Sequence, residues 1–168
     1  MDLEKFADIV ETMIIEHHYP GYDVRSLKLG LPQEVVRGHA RTFAHALKHD
    51  SVYVKLAALR WFEERPSDGK RFVKEIVRVL NDSDEWVRRE ALSVLGRMDK
   101  VDEETALAIS VCLEDGDLAV KKEAAKALGK LGQKTEPVLA ALRKTAQDSN
   151  TELRWKAEKA LRQLGAYS

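Results

Sequence analysis

The sequence predicts an all-α protein, a right-handed α-solenoid of about four helical hairpins on a 33-residue period, with a capping helix at its N-terminal end. Three observations predict it. The stretch DSDEWVRREALSVLG at 82–96 returns as DGDLAVKKEAAKALG at 115–129 and again as DSNTELRWKAEKALRQLG at 148–165. Within and between these copies the apolar residues recur three and four apart, which is the spacing of one face of a helix. Glycine and proline are scarce, nine and four among 168 residues. A hairpin of two helices has a face to bury and nothing of its own to bury it against, so neighbouring copies must stack to make a core.

Taken in order, residues 2–18 read as one helix, with Asp2 as N-cap and Leu3, Phe6, Val10, Met13 and Ile14 along one side. This helix lies outside the period and would cover the open end of the stack. The stretch YPGYDVRSLKLGLPQ at 19–33 lacks helical periodicity and reads as a loop. It either acts as a cap that wraps over exposed apolar surface or serves as a binding element. Four hairpins follow. Their first helices read 33–48, 68–81, 102–114 and 135–147, with Phe43, Ile76, Ile109 and Leu142 in register. Their second helices read about 51–64, 84–98, 117–131 and 150–165. Pro66 and Ser67 are expected to break the first copy from the second, for about nine helices in all. Gly96, Gly129 and Gly165 fall near the ends of the later second helices, where a glycine lets a helix stop or lets two helices pack closely. The whole chain, 1–168, is expected to be one domain, with residues 1–33 as cap and loop and 34–168 as four repeats.

Asp82, Asp115 and Asp148 are 33 residues apart, and the first copy aligns through His49 and Asp50. Five positions on stands Val54, Val87, Val120 or Leu153, and next to it a basic residue, Lys55, Arg88, Lys121 or Arg154. Nine positions on are Ala58, Ala91, Ala124 and Ala157; thirteen on are Phe62, Leu95, Leu128 and Leu161. This pattern resembles HEAT repeats, of the short HEAT-like class also found in phycobilisome lyases, over about residues 33–165. The resemblance implies the stacked hairpins. It leaves function open, because this repeat serves many trades. A basic residue in every copy would suit a phosphate backbone, or it would bond the turn aspartate of the next copy as a ladder. The resemblance implies the ladder.

Composition narrows the function classes. Lys and Arg number 28, Asp and Glu 28, so the formal net charge is zero. That argues against a surface built throughout for nucleic acid or anionic lipid, though not against a local basic patch. The lone cysteine, Cys112, permits no intrachain disulfide and suits a reducing compartment. It lies in the apolar stretch ALAISVCL and reads as a buried small hydrophobe. No apolar run is long enough to span a bilayer, and the acidic, amphipathic N-terminus is unlike a secretory signal. The expectation is a soluble, cytoplasmic monomer that binds no membrane.

Catalytic constellations are missing from the sequence. HEAT-like di-iron hydroxylases acting on deoxyhypusine place His-Glu pairs on the second helices, whereas Arg89-Glu90 and Lys122-Glu123 stand at those positions here. A guanidinium or an ammonium does not ligate iron. The histidines are His17, His18, His39, His45 and His49. His45 and His49 share a helix face, but two ligands do not close a metal site. No glycine-rich phosphate loop and no nucleophile elbow occurs. No cofactor is expected, and the chain is not expected to be an enzyme.

What remains is a surface. Positions 4, 7, 8 and 11 after the register residue share the face of each second helix opposite the buried Val and Ala. The resemblance implies that this face lines the concave side of the stack. Across the copies it carries six basic residues, Arg60, Arg89, Lys122, Lys126, Lys156 and Lys159, against the three acidic residues Glu90, Glu123 and Glu152. Tyr53, Trp86 and Trp155 join them. The expected function is a protein–protein interaction module, whether adaptor, regulator or immunity-type inhibitor. Its partner, with an acidic or mixed surface, is gripped by Tyr53, Arg60, Trp86, Arg89, Lys122, Lys126, Trp155, Lys156 and Lys159. The alternative is nucleic-acid binding, with a surface of the type seen in HEAT-like DNA glycosylases of alkylation repair. A plainer reading has the long basic side chains merely solvating the face while the indoles pack on neighbouring helices.

Overall fold

The computed structural model describes residues 1–16 and 39–166, and every regular element among them is a helix. Helix α1 spans Leu3–Glu16. Asp2 caps it as expected, its carboxylate accepting from the Lys5 backbone N–H at 2.9 Å. Phe6 and Val10 are buried, so α1 does close the end of the stack, packing on the first hairpin. The loop read at 19–33, His17 and His18, and the start of the first hairpin lie outside the described residues, as do the side chains of Met13 and Ile14.

The first hairpin holds α2 (Ala40–Ala46) and α3 (Val52–Glu63). In the second, α4 (Pro66–Arg71) and α5 (Val73–Arg78) precede α6 (Glu85–Leu95). The third pairs α7 (Glu103–Val111) with α8 (Leu118–Leu131), and the fourth α9 (Glu136–Thr145) with α10 (Thr151–Gln163). Two details differ from expectation. Pro66 does separate the first copy from the second, but as the first residue of α4 rather than ahead of a helix starting at 68, since proline at the first helical position forfeits no hydrogen bond. The helix read at 68–81 is split at Phe72, whose φ of −120° and ψ of 25° are not helical.

The second helices α3, α6, α8 and α10 lie side by side in one layer, and α5, α7 and α9 follow one another in the other. The repeat rows point between the layers. Val54, Val87, Val120 and Leu153 are fully buried, as are Ala58, Ala91, Ala124 and Ala157. So are Phe43, Ile76, Ile109 and Leu142 from the first helices. Each large side chain in these rows contributes roughly 1.5–3 kcal/mol by burial. At the N-terminal end the rows merge into an aromatic cluster. Phe6 meets Phe43 edge-on with ring centroids 5.0 Å apart, and Phe43 stacks on Trp61 at 4.2 Å.

The three repeat glycines do different work. A Cβ on Gly96 would stand 3.0 Å from the Cβ of Ala127, and one on Gly129 would stand 2.9 Å from the Cα of Ala160. These two let α6 approach α8 and α8 approach α10. Gly165 instead has a φ of 63°, and Gly132, which the repeat pattern does not single out, ends α8 with a φ of 72°. Both take the left-handed conformation that stops a helix.

The turn between the helices of a hairpin uses two residues. Asp84 caps α6, accepting from the N–H groups of Trp86 and Val87 at 2.9 and 3.1 Å. Asp117 and Asn150 do the same for α8 and α10. The register aspartates, two positions earlier, accept from the N–H of these capping residues and keep a carboxylate oxygen for the neighbouring copy. Lys55 reaches Asp82 at 2.6 Å, and Arg88 holds Asp115 through both Nε and Nη2 at 2.8 Å. Arg88 also donates to the carbonyls of Asp82 and Ser83, and Arg154 does likewise to Asp148 and Ser149. The basic residues therefore tie copy to copy as a ladder, with two rungs closed among the described residues. Arg88 holds the Asp115 carboxyl below the ordinary aspartate range.

Candidate functional site

The second-helix face begins at α3, where Tyr53 is 39% exposed and Arg60 half-buried, while Leu56 and Ala57 between them are buried. The open part of the face in the first copy is thus narrower than the spacing implies. On α6 the cap at Asp84 fixes the backbone of Trp86 directly. The Trp86 indole is half-buried and packs against the rim of the core, with the Arg89 guanidinium 5.4 Å from its ring centroid. On α10 the Trp155 indole is 49% exposed, and the ammonium groups of Lys156 and Lys159 sit 5.4 and 5.0 Å from its centroid.

The cations of this face are not equivalent. Lys122 on α8 bonds Glu152 on α10 at 2.7 Å, across the boundary between copies. Lys126 bonds Glu123, one turn back on its own helix, at 2.8 Å. Sequence reasoning counted these two lysines as available and did not pair them with the acids of the same face. It also stopped one turn short. Glu63, three residues beyond Arg60, accepts from the Ser93 hydroxyl and from Arg97 Nε, both at 2.9 Å. Extending the same helical spacing by one turn would have found it. Glu90 stands partly buried between these pairs. Burial raises its proton affinity first and the charge of Glu63 second, while Arg60 and Arg89 work in the opposite direction.

The face therefore consists of a paired middle on α8 and two ends where an indole and a guanidinium or ammonium lie together. It presents apolar area, cations and hydrogen-bond acceptors. Among the described residues no three His, Cys, Asp or Glu stand together so as to hold a metal ion. His49 accepts from the Ser51 N–H through Nδ1 at 3.1 Å, which makes it a turn residue. Burial pushes the Cys112 thiol up to about 11. No described helix is long and apolar enough to cross a membrane. On the opposite layer a groove of about 430 Å³ runs past Val77, Leu80, Ala108 and the 69%-exposed Val111, away from the predicted residues.

Stacked hairpins, buried repeat rows and an Asp–basic ladder define a helical-repeat scaffold. The sequence confirms the class: the family model of HEAT repeats matches residues 40–109 and 101–162, and the chain belongs to that family. No curated protein matches the chain. Solved structures share the fold at low identity. A designed armadillo repeat protein in complex with the peptide (KR)4 is similar over 96% of this chain and 91% of its own, at 16% identity and a TM-score of 0.60. An engineered protein from a structural-genomics consortium is similar over 96% of this chain and 78% of its own, at 18% identity and a TM-score of 0.59.

Proposed function

We propose that the protein is a non-enzymatic, monomeric cytoplasmic interaction module that docks a protein segment on its second-helix face, as an adaptor, regulator or immunity-type inhibitor. The observation that carries this reading is Trp155, a large indole left half exposed in a fold that buries its other apolar rows, with two ammonium groups at its ring. Indoles beside cations are the typical anchors of protein interfaces. Tyr53, Arg60, Trp86 and Arg89 extend the same surface towards the N-terminal copies, and Lys122 and Lys126 bridge the two ends. The similar designed armadillo protein, which is in complex with a peptide, supports a peptide-like guest.

The nucleic-acid reading is weaker on this geometry. Lys122 and Lys126 are already neutralised by Glu152 and Glu123, and Glu90 adds a negative charge in the middle of the face. Affinity for a phosphate backbone grows with the number of cations that neutralise phosphates, and cations already paired with carboxylates contribute less to it.

The test isolates the partner from native extract on tagged protein and then measures its affinity by calorimetry. Arg89→Glu with Trp155→Ala is expected to weaken it by ~10²-fold, a loss of about 2–4 kcal/mol, with the melting temperature almost unchanged because both side chains are partly exposed. Unchanged affinity in a folded variant would exclude the face. Tight, steeply salt-dependent binding of an oligonucleotide would favour the alternative.

A further inference from the structure

We infer that the α10 end of the second-helix face takes an acidic stretch of the partner, with a carboxylate between Lys156 and Lys159 and an adjoining apolar side chain on the Trp155 indole; this rests on the reading of that face as the docking surface. On α8 both cations of this face have carboxylate partners, Lys122 with Glu152 at 2.7 Å and Lys126 with Glu123 at 2.8 Å. Towards the N-terminal copies Glu63 is held by Arg97 at 2.9 Å, and Glu90 lies in the field of Arg60 and Arg89. On α10 Glu158 is engaged by Arg162 at 3.0 Å, and Glu152, one turn before Lys156, is already held by Lys122.

Lys156 shares the field of Glu152 with Lys122, which holds that carboxylate, and no ion pair of Lys156 or Lys159 closes among the described residues; their ammonium groups rest over the Trp155 ring. An ammonium against an exposed indole is held more loosely than one in a charge-assisted hydrogen bond. A guest carboxylate therefore draws both lysines off the ring and at the same time bares the indole for an apolar contact. Lys159 is three residues from Lys156 and four from Trp155, and both ammonium groups lie 5.0–5.4 Å from the indole centroid, so all three side chains share one patch of the helix surface. An extended guest places residues i and i+2 on the same side, at about 3.3 Å per residue. A segment that alternates acidic and apolar side chains offers carboxylates to the lysines from one side. A neighbouring residue at the segment's twist or end then reaches the indole. Towards α8, where the lysines are already neutralised, the guest needs no matching charge.

The test uses the full chain and three fluorescein-labelled octapeptides, alternating Glu and Leu, Gln and Leu, or Lys and Leu, read by anisotropy at low salt. The Glu–Leu peptide is expected to bind at least tenfold more tightly than the other two. Lys156→Glu with Lys159→Glu should abolish that preference and turn it towards the Lys–Leu peptide. Trp155→Ala should weaken the Glu–Leu and Gln–Leu peptides by similar factors. Circular dichroism and melting confirm that each variant is folded. Equal binding of the Glu–Leu and Gln–Leu peptides, or a preference untouched by the double lysine change, overturns the acidic assignment. If Trp155→Ala still weakens binding in that case, the docking face itself stands. If neither α10 variant nor Arg89→Glu alters any peptide, or if no peptide binds, the face falls with it. A short oligothymidylate that binds the wild type more tightly than the Glu–Leu peptide overturns the inference in favour of a polyanion.

Discussion

Replacing Arg88 by alanine removes the firmest link between two copies of the repeat. The guanidinium donates twice to Asp115 at 2.8 Å and also to the carbonyls of Asp82 and Ser83 at 2.9 and 3.0 Å. The two charged side chains are only 16% and 11% exposed. A surface ion pair contributes about 0–1 kcal/mol, whereas removing one partner of a buried pair costs roughly 3–5 kcal/mol. A mostly covered, bidentate pair with water still at its edge falls between, at about 2 kcal/mol. For a chain of this size that is a drop of about 4–8 °C in melting temperature. A double-mutant cycle of Arg88→Ala with Asp115→Ala, followed by urea unfolding, separates the pair from the bond that Asp115 accepts from the Asp117 N–H, which is lost on one side of the cycle only. The pH dependence gives an independent reading. The Asp115 carboxyl titrates lower in the folded chain than in the unfolded one, and the first cause is its bond to Arg88. The pair's contribution is therefore complete above the unfolded aspartate value of about 4 and is lost as pH falls through the lower folded value. The gap in stability between wild type and Arg88→Ala should accordingly narrow between pH 7 and pH 3. A melting temperature within about a degree of wild type at pH 7, or a coupling energy near zero, would refute the ladder as a source of stability.

Two further expectations concern packing. Gly129→Ala should destabilise the chain by roughly 1–3 kcal/mol, although alanine is the better helix former by about 1 kcal/mol, because its Cβ would press on the Ala160 backbone at 2.9 Å; a stabilised variant in thermal melts would show that α8 and α10 are not in contact there. Cys112 is 6% exposed and its thiol is raised to about 11, so at pH 8 it should react with Ellman's reagent far more slowly in the native chain than in urea-unfolded chain, and equal rates would contradict its burial.

The fold was readable because a repeat states its own register. Val87, Val120 and Leu153 recur at one spacing, and any residue that recurs so strictly in an apolar type must point the same way in each copy, into the layer between helices. The N-cap at Asp2 and the burial of Ala91, Ala124 and Ala157 follow from local spacing plus stacking of like units, whereas the ladder role of Arg88 follows only from the resemblance to HEAT repeats. Local rules did less well where two residues of one turn compete. Asp82 and Asp84 are both good caps by type, and only the folded turn assigns the cap to Asp84 and frees Asp82 for Lys55.

The face on the second helices shows the same division. Spacing alone gathered Tyr53, Trp86, Arg89, Trp155, Lys156 and Lys159 onto one side of their helices, because helical geometry is a property of the chain. It did not say which of their charges are spent. Lys122 reaches Glu152 and Arg97 reaches Glu63 across the boundary between copies, over 30 and 34 residues of sequence, and such pairs depend on how closely α3, α6, α8 and α10 approach. That approach is decided by Gly96 and Gly129, where a missing Cβ brings backbones together. The sequence by itself thus settled the repeat, its buried rows and the side of each helix a residue occupies, since these need only periodicity and the drive to bury apolar surface. The tertiary structure alone decided which cations are neutralised from a neighbouring copy and which indole stays open, because pairing across copies and exposure depend on distances between helices that no single helix contains.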